Sequence, residues 1–227
     1  MRIGAVLAMD EEIDAVLRLA EFQKTSFFDY VVYEGQIGDH RVFVLQLRIG
    51  KVQASHMTTL FLEHYNLDAI VNVGIAGGLQ SDLGDVLLAR GAFYHDVDVT
   101  AFGYEAGQLP GHECVFASDE TLLKRAQSAL EDAEFPIKTG LLCSGDSFAL
   151  DIEPFKPFLK RYDDLLAVDM ESAAVAHVAF LMHTPFFAIR SVSDCLGKDD
   201  QLVDHEARME RACYNAAIAF DKTVKAL

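Results

Sequence analysis

The sequence predicts a single α/β domain that spans residues 1–227. Apolar runs of strand length alternate with segments of helical periodicity along the whole chain, which is the pattern of a sheet covered by helices. Hydrophobic residues make up 51% of the 227 residues, enough to form a substantial core. One domain is expected because no Pro/Ser-rich linker, internal repeat or low-complexity run interrupts this alternation.

The predicted strands are short runs that are either continuously apolar or alternately apolar and polar. Continuous runs are expected to be buried strands, whereas the two alternating runs joined by Gly38-Asp39 are expected to form a hairpin. In chain order, strands are predicted at residues 3–8, 30–35, 41–47, 68–73, 86–94, 138–143, 165–168 and 185–191.

The predicted helices each carry one apolar face. Asp10 and Ser118 are expected to cap two of them, a third begins at Lys51, and a fourth covers residues 171–181. The last helix lies at the carboxyl terminus. The expected apolar faces are Ile13, Val16, Leu17 and Ala20; Ala54, Met57, Phe61 and His64; Leu122, Ala126 and Leu130; and Met209, Ala212, Ala216, Phe220 and Val224.

The charge of the chain favours a small-molecule ligand over a polyanionic partner. The formal net charge of -16 at pH 7 repels phosphate backbones and anionic lipid. Nucleic-acid binding and membrane-surface binding are therefore not expected.

The cysteine pattern and the amino terminus indicate a cytoplasmic protein. The four cysteines lack CxxC spacing and lie mostly in apolar segments, which favours reduced, buried thiols over disulfides or a zinc site. Acidic residues at 10–12 come too early for the apolar region of a signal peptide. The most apolar stretch, residues 173–189, is interrupted and too short to span a bilayer.

Ionisable residues cluster at the predicted carboxyl ends of two strands. Glu171 follows one strand, and Arg190 and Asp194 lie at the end of the next. Ligands bind at that edge of an open α/β sheet. Two carboxylates and an arginine suit a small polyhydroxylated ligand whose leaving group needs a proton. Each residue also has a structural interpretation, because an acid at a helix start complements the helix dipole and an Arg–Asp pair can be an ordinary ion pair.

Other motifs are incomplete, so no cofactor and no metal is expected. The glycine cluster at 74–78 permits close approach of a ligand but lacks dinucleotide and P-loop spacing. His95, Asp96 and Asp98 lie on a long loop without a complete metal-ligand set, and surface hydrogen bonding is preferred. Ser147 has neither the second glycine of a nucleophile elbow nor an evident triad.

Seven short segments are each weakly specific for any one protein family, but their occurrence together in this order is strongly specific. They are Ile3-Gly4 through Met9-Asp10-Glu11-Glu12, Ile49-Gly50-Lys51-Val52, Asn72-Val73-Gly74-Ile75-Ala76-Gly77-Gly78, residues 95–104, Ser144-Gly145-Asp146-Ser147-Phe148, Val168-Asp169-Met170-Glu171 and Arg190-Ser191-Val192-Ser193-Asp194. Over nearly its whole length the chain therefore resembles the 5′-methylthioadenosine/S-adenosylhomocysteine nucleosidases of the nucleoside phosphorylase superfamily.

This resemblance implies a single-domain, three-layer α/β sandwich with a central mixed, twisted sheet. It implies hydrolysis of the N-glycosidic bond of 5′-methylthioadenosine and S-adenosylhomocysteine, releasing adenine and the 5′-thio-substituted ribose. It also implies a homodimer with a shared active site.

The resemblance further implies a role for individual residues. Asp194, steadied by Ser193, would protonate purine N7. Glu12 would activate the attacking water with the help of Arg190. At the sugar, Glu171 would bind the ribose hydroxyls and Met170 would pack against the ring; at the base, Phe148 would stack on adenine and the backbone of Ala149 would contact its Watson–Crick edge. Ile75 and Ala76, in the glycine-rich segment, are further implied binding residues. The alkylthio pocket would be formed by Met9 and Ile49, together with Phe102, Tyr104 and Pro110 from a second subunit.

Elementary chemistry agrees with these roles. Breaking an N-glycosidic bond leaves negative charge on the base and positive charge on the sugar. An acid at the base and an anion near the sugar therefore both stabilise the transition state. Glu12 also favours neutral water over phosphate, because unit charges about 4 Å apart repel by about 4 kcal/mol at an effective dielectric constant of about 20.

Two departures and three alternatives accompany this prediction. Ile75 stands where relatives often carry serine, and Leu47-Arg48 replaces a Ser-Gly pair. The alternatives are a purine nucleoside phosphorylase, a futalosine-type nucleosidase and a non-catalytic nucleoside-binding protein. A binding protein would have no use for both Glu12 and Asp194.

Overall fold

The computed structural model describes residues 1–197 and 205–227, whose strands join into one mixed sheet. The strands are β1 (Arg2–Leu7), β2 (Phe22–Phe27), β3 (Tyr30–Ile37), β4 (His40–Gln46), β5 (Ala69–Gly78), β6 (Val86–Tyr94), β7 (Phe116–Ala117), β8 (Ile137–Ser144), β9 (Leu165–Asp169) and β10 (Phe186–Cys195). The helices are α1 (Asp10–Leu17), α2 (Lys51–His64), α3 (Glu120–Ala129), α4 (Lys156–Arg161), α5 (Ser172–Leu181) and α6 (His205–Lys225), with short 3-10 turns at Thr100–Phe102 and Glu153–Phe155.

One half of the sheet is open and the other half closes on itself. The open half has the order β5-β1-β4-β3-β2, with parallel pairs beside β1 and antiparallel pairs beside β3. In the other half, β5 pairs with β9 and β10, β10 with β6, β6 with β8, and β8 with β9. These five strands form a ring. The predicted mixed sheet is confirmed, and its closure is a further feature.

Helices cover the sheet on two faces, as the predicted three-layer arrangement requires. The apolar sides of α2 and α5 pack on one face, and those of α1, α3 and α6 pack on the other. Ala54, Met57 and Phe61 are fully buried in α2, as predicted. His64 is exposed instead, because it lies in the last turn of α2. Its ring and that of Phe27 pack in a T-shaped arrangement, with their centroids 5.2 Å apart.

Two helices begin differently from the prediction. Asp10 is the first residue of α1 and not its cap. Glu12 takes the capping role, because its Oε2 accepts a 3.0 Å hydrogen bond from the Met9 N–H. Asp119, not Ser118, caps α3 by accepting two N–H groups of the first turn at 2.9 Å.

Several strands also differ from the prediction, and the two-residue β7 is not predicted. β5 and β10 run through the glycine cluster and through Asp194, because they pair with each other in parallel along these segments. A register shift between Val192 and Asp194 interrupts that pairing, which then continues from Asp194 and Cys195 to Gly77 and Gly78. β2 is not predicted, since residues 23–26 are exposed and polar and its only sheet partner, among the described residues, is β3.

The cysteine prediction is confirmed. All four cysteines are free thiols, and Cys143, Cys195 and Cys213 are buried. Among the described helices, none is both long enough and apolar enough to cross a membrane.

Candidate active site

A cavity lies where the carboxyl ends of β1, β5, β9 and β10 meet, the edge of the sheet at which ligands are expected. Segments that follow β4 and β8, together with α6, complete its wall. The lining residues are Ala8, Met9, Glu12, Ile49, Ile75, Ala76, Gly77, Ser147, Phe148, Ala149, Val168, Asp169, Met170, Glu171, Ser193, Asp194, Leu196 and Met209.

Most residues proposed from the sequence meet in this cavity. They are Met9, Glu12, Ile49, Ile75, Ala76, Phe148, Ala149, Met170, Glu171, Ser193 and Asp194. Arg190 does not line the cavity but lies beside it, 1% exposed and in contact with Glu12 and Glu171. Phe102, Tyr104 and Pro110 do not line the cavity of their own chain, and Phe102 is 81% exposed.

Sequence reasoning missed several lining residues. Met209 was predicted only as part of an apolar helix face, yet it is half-buried and reaches the cavity. Asp169 was not assigned a role, although its position two residues before Glu171, at the end of a strand, could have indicated one. Ala8, Gly77, Ser147, Val168 and Leu196 line the cavity without a distinctive sequence signal.

Glu12 is a buried carboxylate surrounded by donors. Its Oε2 accepts hydrogen bonds from the N–H groups of Ala8 and Met9 at 2.8 and 3.0 Å, and its Oε1 accepts one from Ile75 at 2.9 Å. Burial raises the pKa of Glu12, while Arg190 and these three N–H groups oppose the rise. The result is a fixed carboxylate that is more basic than an exposed one.

Arg190 lies between three buried carboxylates. Its Nε donates to Asp169 Oδ2 at 2.9 Å, Nη1 lies 3.8 Å from Glu12 Oε1, and Nη2 lies 3.6 Å from Glu171 Oε2. Burial alone lowers the pKa of Arg190, but the three carboxylates outweigh it and the pKa is raised. Within the described chain Nη2 has no hydrogen-bond acceptor, so it is a donor that a ligand hydroxyl or water oxygen can satisfy.

Asp169 holds the base of the site together. It accepts hydrogen bonds from the side chains of Ser144, Ser172 and Arg190. It also accepts hydrogen bonds from the N–H groups of Glu171 and Ser172 at 3.2 and 3.1 Å, just before and at the first residue of α5. One carboxylate thus orients the arginine and fixes the residue that starts the next helix.

Glu171 connects the cavity to the start of α2. Its Oε1 accepts a 3.0 Å hydrogen bond from the Gly50 N–H. Burial raises the pKa of Glu171 to about 7, Asp169 and Glu12 add to the rise, and Arg190 and the Gly50 N–H oppose it. Glu171 can therefore change its protonation state near neutral pH.

Asp194 faces the cavity from the end of β10. It is 3% exposed, and its Oδ1 accepts a 2.8 Å hydrogen bond from the Ser193 hydroxyl. Ser193 and Asp194, which the resemblance places together, are thus in direct contact. A buried carboxyl group held by its neighbour can deliver a proton to a ligand atom in the cavity.

Gly74 allows Glu12 and Arg190 to approach the sheet. A Cβ atom at this position would overlap Glu12 Oε1 and Arg190 Nη1. Only glycine leaves room for both side chains. The packing of Glu12 and Arg190 therefore explains the glycine at position 74 without a phosphate-binding role.

The acidic loop residues near the site form hydrogen bonds, as preferred from the sequence. Asp96 accepts hydrogen bonds from Lys51 Nζ at 2.6 Å and from the Asp146 N–H at 3.0 Å. Asp98 accepts hydrogen bonds from the backbone and side chain of Thr100. Asp96 thus ties the loop after β6 to the start of α2 and to the segment after β8, whereas the contacts of Asp98 lie within the loop.

Comparison with known proteins extends to nearly the whole chain. The family model described as "Phosphorylase superfamily" matches residues 2–226. A 5′-methylthioadenosine/S-adenosylhomocysteine nucleosidase from Staphylococcus aureus is 36% identical over 228 residues, which covers 99% of this chain and 98% of the relative.

Solved structures agree with the sequence relatives. The nucleosidase from Neisseria meningitidis in complex with methylthio-immucillin-A has a TM-score of 0.92 at 33% identity, covering 100% of this chain and 99% of that one. The nucleosidase from Colwellia psychrerythraea in complex with adenine has a TM-score of 0.92 at 31% identity, covering 100% and 96%. The chain therefore belongs to the phosphorylase superfamily and, within it, to the 5′-methylthioadenosine/S-adenosylhomocysteine nucleosidases.

Proposed function

We propose that this chain hydrolyses the N-glycosidic bond of 5′-methylthioadenosine and S-adenosylhomocysteine to release adenine. The observation that carries the proposal is that two buried carboxyl groups, Glu12 and Asp194, face one cavity in a chain whose relatives are nucleosidases. A binding protein would gain nothing from burying both, because each costs desolvation free energy.

The two carboxyl groups take opposite roles in this mechanism. Asp194, held by Ser193, donates a proton to N7 of the leaving adenine and relieves the negative charge that develops on the base. Glu12 takes a proton from the water that attacks C1′. Its surrounding N–H donors support this role because they stabilise the anionic form.

Arg190, Glu171 and Met170 position the sugar and the water. Arg190 Nη1, which lies 3.8 Å from Glu12 Oε1, orients the attacking oxygen, while Nη2 and the neighbouring Glu171 form hydrogen bonds with the ribose hydroxyls. Met170 packs against the sugar. The anionic carboxylates around the ribose also favour the positive charge that the sugar develops in the transition state.

The remaining cavity residues hold the base and the thioether. Phe148, which is 58% exposed, is available to stack on adenine, and the backbone of Ala149 reads the edge of the base. Met9 and Ile49 provide the apolar surface for the alkylthio group, with Ile75 and Ala76 on the sugar side. No cofactor or metal takes part in these steps.

Hydrolysis is favoured over phosphorolysis by the charges around the cavity. None of the described residues that line it is Lys, Arg or His. The adjacent Arg190 already faces Glu12, Asp169 and Glu171. Arg48, the residue that could have supplied a phosphate site, lines a neighbouring cavity instead.

A second copy of this chain is the proposed partner. Phe102, Tyr104 and Pro110 lie on the loop after β6 and outside their own chain's cavity, and they are proposed to close the cavity of the partner. Apolar side chains exposed on α2 and α5 support an interface, namely Val52, Phe180 and Leu181.

The test is an assay of both products with and without phosphate. Purified protein is incubated with 5′-methylthioadenosine, and adenine and the sugar product are quantified. Free methylthioribose formed at a rate independent of phosphate supports the proposal. Strict dependence on phosphate, with a sugar 1-phosphate as product, would show that the chain is a phosphorylase and not a hydrolase.

A further inference from the structure

A second cavity adjoins the reaction site at its thioether end. It shares Ala8, Met9 and Ile49 with the first cavity, so a 5′-substituent that passes these residues enters it. Its other lining residues differ in character from the apolar thioether pocket, because they are polar or charged. They are Asp10, Glu11, Gln46 and Arg48.

Arg48 stands out in this cavity in two respects. Its backbone has a φ of 65°, a left-handed conformation that favours glycine and is strained for arginine. Its guanidinium group forms no ion pair or hydrogen bond with any residue that the structure describes. In a chain with a net charge of -16, one cation at the end of a substrate cavity is therefore available to a ligand.

The opposite charges lie across the same cavity. Asp10 and Glu11 form the first turn of α1, and the carboxylate of Asp10 is held by a 2.9 Å hydrogen bond from Gln46 Nε2. A phosphate group would meet both repulsion and attraction here. A zwitterion that carries a carboxylate and an ammonium group on the same carbon atom matches one arginine and two acids.

We infer that this second cavity binds the amino-acid end of S-adenosylhomocysteine, with Arg48 on its carboxylate and Asp10 and Glu11 near its ammonium group. This inference rests on the proposed function and specifies which substrate the chain recognises by its 5′-tail. Arginine suits a carboxylate because its planar group can donate two parallel hydrogen bonds. 5′-Methylthioadenosine lacks this tail and makes no use of Arg48.

The test compares three substrates that differ only beyond the sulfur. They are 5′-methylthioadenosine, S-adenosylhomocysteine and its decarboxylated analogue, which keeps the carbon chain and the amine. The enzyme variants are Arg48→Gly and, as a control for the loss of one positive charge, Arg18→Gln. Arg18 is exposed at the other end of α1 and lines a different cavity. Glycine adopts the φ of position 48 without strain, so Arg48→Gly is expected to fold normally.

The unaltered enzyme should cleave S-adenosylhomocysteine with a kcat/KM about fivefold above that of the decarboxylated analogue, the scale of one partly exposed charge-assisted contact. Arg48→Gly should reduce this preference to less than about twofold, mainly through KM, because the contact lies far from the reacting bond. Its activity on 5′-methylthioadenosine should be unchanged, and Arg18→Gln should behave like the unaltered enzyme.

Persistence of the preference in Arg48→Gly would overturn the inference, and so would its absence from the unaltered enzyme. In both cases cleavage of 5′-methylthioadenosine would leave the proposed function intact. If the unaltered chain releases adenine from none of the three substrates, the proposed function fails and the subsite fails with it.

Discussion

The N–H of Ile75 donates a 2.9 Å hydrogen bond to Oε1 of Glu12, and this bond ties the first helix to the glycine-rich end of β5. With Ala8, Met9 and Arg190, every polar neighbour described around Glu12 is a donor. An amide at this position would direct its own NH2 group at one of these donors. The surroundings of Glu12 are therefore matched to a carboxylate.

We expect Glu12→Gln and Asp194→Asn each to lower kcat by about 10²- to 10⁴-fold, the scale for loss of a general base or acid. Asp14→Asn is the matched control, because Asp14 is exposed on α1 and away from the reaction cavity. Adenine release measures the activity, and circular dichroism verifies the fold. Near-normal turnover in both folded variants would show that Glu12 is not the general base and Asp194 is not the general acid.

We expect Asp169→Asn to destabilise the fold by about 3 kcal/mol, because it leaves a buried arginine without its hydrogen-bonded carboxylate. Asp164→Asn breaks the half-exposed pair with Arg90 and should cost less than about 1 kcal/mol. Urea unfolding of both variants gives the comparison. Equal losses would show that Asp169 does not hold the site together.

The titration of Glu171 predicts a pH-dependent stability. Its pKa in the fold, about 7, is above the ordinary value of 4.5, so its contribution to stability is fully present below about pH 4.5 and is lost as the pH rises through 7. Glu171→Gln cannot titrate. Between pH 5 and pH 8, the unfolding free energy of the unaltered protein should fall by about 1–3 kcal/mol relative to this variant. Parallel pH profiles in urea unfolding would contradict the raised pKa.

We expect sedimentation to detect a dimer whose partner chain completes the cavity. Val52→Glu places a charge on the exposed apolar surface of α2 and should shift the protein towards monomer, with activity falling as protein concentration is lowered. Leu83→Glu is the control, because Leu83 is an exposed apolar residue between β5 and β6. A fully active monomer at assay concentration would exclude a shared site.

Local patterns predicted much of this fold. The bounds of β6 are as predicted, α2 begins at Lys51 as predicted, and the buried faces of α2 and α3 follow from helical spacing except at His64, which is exposed. Capping was less predictable, because Asp119 and Ser118 are adjacent and both can accept hydrogen bonds. The exposed β2 lacks an apolar pattern altogether, since its residues 23–26 face solvent.

The ring of strands and the role of Asp169 could not be read from local patterns. Both depend on partners distant in sequence, as in the contact of Asp169 with Ser144 and Arg190. Conversely, most of the residues grouped by resemblance line one cavity, with Glu12 and Asp194 brought from opposite ends of the chain, whereas Phe102, Tyr104 and Pro110 do not line it. The second cavity follows from the structure, because the sequence does not fix the direction of the Arg48 side chain.

The closed ring of β5, β9, β8, β6 and β10 has a consequence for how the protein is made. Of the five strands in the ring β10 is the last in chain order, and it supplies Arg190 and Asp194 as well as the strand that closes the ring. While β10 of a nascent chain is still inside the ribosome, one side of β5 has no partner strand. Glu12 and Asp169 then also lack the positive charge of Arg190. Completion of the ring and assembly of the reaction site are therefore one late event in biosynthesis, since pairing between distant strands must wait for the last of them.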